Sequence, residues 1–332
     1  MSVFTRAFPK SIAHPDGSLD DWLARQVDDN PWFSDLLARW EPAGGVRADA
    51  EPHLRLAVRD GYLNFYRNGQ SVAKVEFGPR VGLRAEVHAK YVEGPDASLG
   101  RLYRRITSGQ TAEASVDIGA WIEEADGYSG DEKRFVEEVV AVSRDVIDLE
   151  MALPAIDLPA DVAPVGPDGK RHRVAPRIDL VALEPAGPGW RLALWEAKLV
   201  DDGRIRCEGD EKMPEVKKQI ENYKLWLEHE GHEELVLDAY RATCRILVGL
   251  HGFVAARINL AIGPLGEGIR AVAEGASLLL DKDVRLLIDA RKEKTLKWES
   301  FEDNGHKAKL EGRGIHLQMV RDDKALRLVG RP

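Results

Sequence analysis

Two periodicities alternate along the chain. Residues 18–40 carry Leu19, Trp22, Leu23, Val27, Phe33, Leu36 and Leu37 at helical spacing, with a break expected at Asn30-Pro31. From His53 the pattern shortens to strand-like runs, His53–Val58, Tyr62–Tyr66, Ser71–Phe77 and Leu83–Val92. Asp60-Gly61 and Asn68-Gly69 fall between the first three, and both dipeptides tolerate the positive φ of tight hairpin turns. Asp131–Leu149 returns to the helical period, with Phe135, Val136, Val139, Val142 and Val146 as its apolar stripe. Two longer apolar runs follow, Arg177–Leu183 and Trp190–Val200, on either side of the turn-forming stretch Glu184-Pro185-Ala186-Gly187-Pro188-Gly189. They predict a strand hairpin. Beyond it the pattern predicts helices over Pro214–Glu230, Glu233–His251 and Ala271–Leu280, and strands over Ile258–Ile262 and Asp283–Ala290. Thr295–Val329 reads as short strands.

Helices and strands interleaved in this way place the chain in the α/β (α+β) class. The switches of period suggest three parts: an antiparallel α+β module over 1–126, a mixed domain over 127–294, and a β-rich extension over 295–332.

Within the apolar hairpin three charged residues stand out. Asp179 is set into the first run, and Glu196 and Lys198 into the second. Alternation along a strand puts Glu196 and Lys198 on one face and sends Ala197 to the other, with Trp195 and Leu199. Charges inside an apolar strand require a compensating role. The Asp/Glu-x-Lys tripeptide alone carries no weight in a chain that is 31% charged. It recurs at Asp131-Glu132-Lys133, Asp168-Gly169-Lys170, Asp210-Glu211-Lys212, Glu215-Val216-Lys217 and Asp322-Asp323-Lys324, all in polar or helical contexts. On the helix after the hairpin, Gln219 and Tyr223 lie one turn apart and share a face. Two carboxylates at strand ends suit a hard cation such as Mg²⁺ or Mn²⁺, which also keeps waters and takes substrate phosphate as a ligand. The carbonyl of Ala197 would add a neutral oxygen, and Lys198 would orient water and offset developing charge.

Asp179, Glu196-Ala197-Lys198 and Gln219-x-x-x-Tyr223 together resemble the PD-(D/E)xK nuclease superfamily, in its RecB-like and Cas4-like branch. The resemblance covers roughly residues 131–290. It implies a restriction-endonuclease-like core, a mixed four-stranded sheet flanked by helices. It further implies metal binding by Asp179, Glu196 and Ala197, assistance to water by Lys198, and support from Gln219 and Tyr223. A helix glutamate usually completes the metal site. Glu132 is the first choice and Glu138 the second, whereas Glu137 is expected to point away. The residue before Asp179 is Ile178, and Pro176 lies three positions ahead of the aspartate, a departure in the loosest part of the pattern. With Cys207 and Cys244 alone, the iron–sulfur signature of the branch is absent.

Composition narrows this picture. The net charge of −9 sits against nucleic-acid binding, so contact with a phosphate backbone must be local. Arg171, Arg173 and Lys218 lie beside the motif and are the expected backbone contacts, while Arg101, Arg104 and Arg105 form a separate cluster. Two cysteines without a pairing pattern, and no apolar run of membrane-spanning length, give a cytoplasmic expectation with no membrane partner. The expected partner is nucleic acid, DNA first, and the expected activity is Mg²⁺- or Mn²⁺-dependent phosphodiester hydrolysis. The alternative is a non-cleaving nucleic-acid-binding or interaction module on the same fold. Residues 1–126 carry no chemical motif and are left for a protein partner or a second copy of the chain.

Overall fold

The computed structural model describes residues 4–8, 19–45, 52–78, 82–94, 102–107, 116–154, 177–207, 213–293 and 300–331. The described residues form a mixed α+β structure with two sheets, and the chain splits into two compact units. One unit comprises residues 5–148 and 239–277, the other 1–4, 149–238 and 278–332.

In the first unit α1 (Leu19–Asp29) and α2 (Pro31–Ala38) are separated at Asn30, where Pro31 starts the second helix. Strands β1 (Arg55–Val58), β2 (Tyr62–Arg67), β3 (Gln70–Gly78), β4 (Gly82–His88) and β5 (Tyr103–Thr107) form an antiparallel sheet in chain order. The Asn68-Gly69 turn has positive φ at both residues (44° and 66°), the conformation its sequence announces. Register aligns Leu63, Val75, Ala85 and Ile106 in one row across four strands, and all four are buried. The fourth expected strand ends early: β4 stops at His88, whose side chain caps the short helix α3 (Ala89–Glu93). Helices α4 (Ile118–Gly127) and α5 (Asp131–Val142) complete the N-terminal part.

The second sheet carries the motif. It is built from β6 (Val146–Ala152), β7 (Arg177–Ala186), β8 (Gly189–Leu199), β9 (Leu278–Leu280), β10 (Arg285–Asp289) and β11 (Leu317–Val320). The order is β11-β10-β8-β7-β6, with β9 paired to the start of β8. β7 and β8 are antiparallel, whereas β9 and β10 run parallel to β8, and β11 parallel to β10. Six strands therefore stand where the family resemblance implies four. β8 is central and buried on both faces, which explains its almost unbroken apolar sequence. The described residues also form helices α6 (Glu215–Glu228), α7 (His232–Arg257), α8 (Glu267–Ala273) and α9 (His306–Glu311).

Several expectations are corrected. The β7–β8 hairpin is longer than its apolar core, because Glu184 to Ala186 remain paired and the turn contracts to Gly187-Pro188, with Gly187 at φ 58°. Ile258–Ile262 is not a strand. The amides of Ile258 and Asn259 bond back to the Val254 carbonyl, closing α7, and Leu260 stands 86% exposed. The apolar stretch from Ala271 splits: helix α8 ends at Ala273, Gly275 takes φ 105°, and Leu278–Leu280 becomes β9 on the edge of Trp190–Leu192. In the C-terminal stretch a helix, α9, replaces part of the expected strands, and Gly305 at φ 71° precedes it. α5 clusters with the N-terminal sheet, and residues 300–331 cluster with the second sheet, to which β11 contributes a strand.

Candidate metal centre

Strand register builds the site. β7 and β8 pair from Ala186↔Gly189 to Leu180↔Trp195, and the next step sets Asp179 across from Glu196 on the same face. Asp179 Oδ2 accepts a hydrogen bond from the Ala197 amide at 2.8 Å, which clamps the carboxylate to the end of β8. Lys198 lies on that face too, so the strand alternation expected from sequence holds. Its Nζ donates to Glu196 Oε1 at 2.5 Å and to the Ala197 carbonyl at 2.6 Å, and lies 3.9 Å from Asp179 Oδ2.

Helix α6 closes over this group. It begins after Pro214 and buries Val216, Ile220, Tyr223, Trp226 and Leu227 along one stripe. Gln219 and Tyr223, one turn apart, both reach Glu196. Gln219 Nε2 donates to Oε1 at 2.7 Å and also to the Tyr223 hydroxyl. The Tyr223 hydroxyl is 2.8 Å from Glu196 Oε2 and 2.5 Å from the Arg177 carbonyl, and can give its single proton to one of them at a time. Burial, then the charge of Glu196, raises the phenol far above its ordinary range, so Tyr223 remains a donor. The five motif residues Asp179, Glu196, Lys198, Gln219 and Tyr223 thus come together in one hydrogen-bonded cluster.

Burial, and next the adjacent Asp179 charge, push Glu196 up to about 7, against the pull of Lys198. A proton and a metal ion would therefore compete for it near neutral pH. Glu196 and Lys198 are almost sealed (side chains 2% exposed), while Asp179 at 16% gives the cluster its access to solvent. Among the described residues no group of three or more His, Cys, Asp or Glu side chains is arranged to hold a metal. A hard ion such as Mg²⁺ needs fewer, since one or two carboxylates, a carbonyl and water suffice. The groups that would hold such an ion are Asp179, Glu196 and the Ala197 carbonyl, which lie around the Lys198 ammonium.

The other expected residues are placed as follows. Glu132 and Glu138 lie on α5, which belongs to the other unit. Glu137, expected to point away, instead turns inward in its own unit, where it accepts from Arg55 Nε at 2.8 Å and lies 3.2 Å from His53 Nε2. Helical phase alone did not reveal this, because Arg55 and His53 come from a distant strand region. Lys218 is exposed on α6, next to Gln219. Arg171, Arg173 and Arg101 lie outside the described residues. Arg104 and Arg105 are paired with Glu93 and Glu86 on the first sheet.

Two contributors carried no motif. The Arg177 backbone anchors Tyr223, and the Arg177 side chain, 63% exposed, reaches Glu150 at 3.4 Å. Glu150 has φ 52°, an uncommon backbone for a non-glycine residue inside a strand. Neither feature has a local sequence signal, since both depend on how strands pair.

No helix among the described residues is long and apolar enough to cross a membrane. Comparison of the chain with protein-family models, with curated proteins and with solved structures gives no match to any of them.

Proposed function

We propose that this chain is a divalent-metal-dependent nuclease of the PD-(D/E)xK kind, with a restriction-endonuclease-like core, hydrolysing phosphodiester bonds of nucleic acid and of DNA first. The observation that carries the reading is the convergence of Asp179, the Glu196 carboxylate and the Ala197 carbonyl on one buried positive charge. Gln219 and Tyr223 fix Glu196 from the facing helix.

In this reading Asp179, Glu196 and the Ala197 carbonyl hold Mg²⁺ or Mn²⁺. Such an ion activates water and offsets charge on the phosphoryl oxygens. Asp179 presents its carboxylate at the solvent-facing side while its bond to the Ala197 amide limits its rotation. Gln219 and Tyr223 hold Glu196 in one orientation, so no reorganisation is needed when the transition state forms. Lys198 supplies a positive charge beside the attacked phosphate and orients the incoming water. Lys218, with Arg171 and Arg173, would hold the backbone of the substrate.

A second reading, a nucleic-acid-binding or interaction module that does not cleave, draws on the acidic balance of the chain and on the near-complete enclosure of Glu196 and Lys198. Incubation with circular single-stranded and supercoiled double-stranded DNA separates the two. Cleavage that requires Mg²⁺ or Mn²⁺ and stops with EDTA is the expected result. Retention of DNA with no cleavage of circles, linear DNA or RNA would favour the second reading.

A further inference from the structure

The oxygens assigned to the metal are already occupied by a cation of the chain itself. Lys198 Nζ is 2.5 Å from Glu196 Oε1, 2.6 Å from the Ala197 carbonyl and 3.9 Å from Asp179 Oδ2, with its side chain 2% exposed. A Mg²⁺ ion bonds oxygen at about 2.0–2.1 Å. An ion bonded to the same two oxygens would compete with the ammonium for their lone pairs and be repelled by its charge, so the two do not share the site.

We propose that Lys198 is the resting occupant of the cation site, and that the divalent ion loads by exchange with its ammonium group. This rests on the metal reading above and adds to it the order of events. Without the ion, Lys198 compensates two carboxylates that would otherwise face each other in a buried setting. As the ion arrives, Nζ leaves Glu196 Oε1 and the Ala197 carbonyl. The flexible four-carbon stem permits this movement with the backbone of β8 in place. Lys198 thereby reaches the position from which it acts on water only when the ion is present, so a site without metal is also a site without its catalytic lysine in position.

The test is a Mn²⁺ titration followed by calorimetry. It compares the full-length wild type with Lys198→Met, which keeps the stem volume, and Lys198→Gln, which keeps a hydrogen-bond donor should the first variant fold poorly. Removing the competitor should tighten Mn²⁺ binding by about tenfold or more in either folded variant, although both lose cleavage. Arg177→Met removes a cation two residues from Asp179 whose side chain is directed to Glu150, keeps the backbone carbonyl that accepts from Tyr223, and should change the affinity by less than about threefold. Unchanged or weaker binding in both Lys198 variants would overturn exchange while leaving the metal reading intact. Equal tightening in Arg177→Met would also overturn it, in favour of a general field effect. Absence of Mn²⁺ binding in wild type and variants alike would overturn both.

Discussion

Asp179→Asn should reduce metal-dependent cleavage by about 10²–10³-fold or more, the scale on which loss of a preorganised transition-state contact acts. The substitution is nearly isosteric, and its side-chain oxygen can still accept from the Ala197 amide, the bond that Asp179 makes at 2.8 Å. What it removes is charge. The cation site then holds one carboxylate and a carbonyl in place of two carboxylates and a carbonyl. The fold should survive, because the β7–β8 ladder continues from Leu180↔Trp195 to Ala186↔Gly189 without any contribution from Asp179. Circular dichroism and thermal melting would confirm folding before cleavage of circular DNA is compared at equal Mg²⁺. An Asp179→Asn protein that cuts at the wild-type rate would remove Asp179 from the chemistry.

The largest stability effect is expected on the opposite face of the same sheet. Arg285 on β10 is 2% exposed and makes a two-pronged contact with Glu184, at 2.5 and 2.9 Å, plus a 2.8 Å bond to Asp281. Its guanidinium carbon lies 5.0 Å from the centre of the Trp195 ring. Planar fork geometry and ring stacking are specific to arginine. Arg285→Ala would leave the buried Glu184 without its two-pronged partner, while Asp281 keeps Arg331 at 3.5 Å, at a cost of about 3–5 kcal/mol. Arg285→Lys keeps the charge but not the fork and should lose less. Urea unfolding of the three proteins checks this. A loss below about 1 kcal/mol for Arg285→Ala would show that the ion cluster is not needed to hold β8 against β10. Because Trp195 adjoins Glu196 in sequence, a loosened β10 edge should also reduce cleavage.

These two faces differ in how far the sequence reveals them. The clustering of the Asp179 face was legible because its residues are local: Asp179, Glu196 and Lys198 interrupt apolar runs, and Gln219 and Tyr223 lie one helical turn apart. The hairpin fixes their meeting, since its pairing ends at Leu180↔Trp195, one step before Asp179 and Glu196, and the Ala197 amide holds Asp179 there. The Arg285 face was not legible. Glu184 sits among turn-forming residues in sequence and becomes buried only because the β7–β8 pairing extends to Ala186, while its partner arrives from a strand 101 residues later. Long-range pairing also decided Leu278–Leu280, apolar enough for a helix but held as β9 by the start of β8. The same applies to Leu317–Val320, which joins the sheet through β10 instead of forming a separate extension. In the first sheet the Asn68-Gly69 turn was readable because its φ values are a property of the dipeptide. The inward turn of Glu137 was not, since it depends on Arg55 and His53 from another part of the chain.

The proposal stands most directly on whether a divalent ion enters the triangle of Asp179, Glu196 and the Ala197 carbonyl. Crystals of the wild-type protein soaked in Mn²⁺ would settle it through an anomalous difference map. A peak within bonding distance of those three oxygens, with Lys198 Nζ moved off Glu196 Oε1, is the expected result. A map with no peak there, and with Lys198 still bonded to Glu196 and to the Ala197 carbonyl, would contradict it.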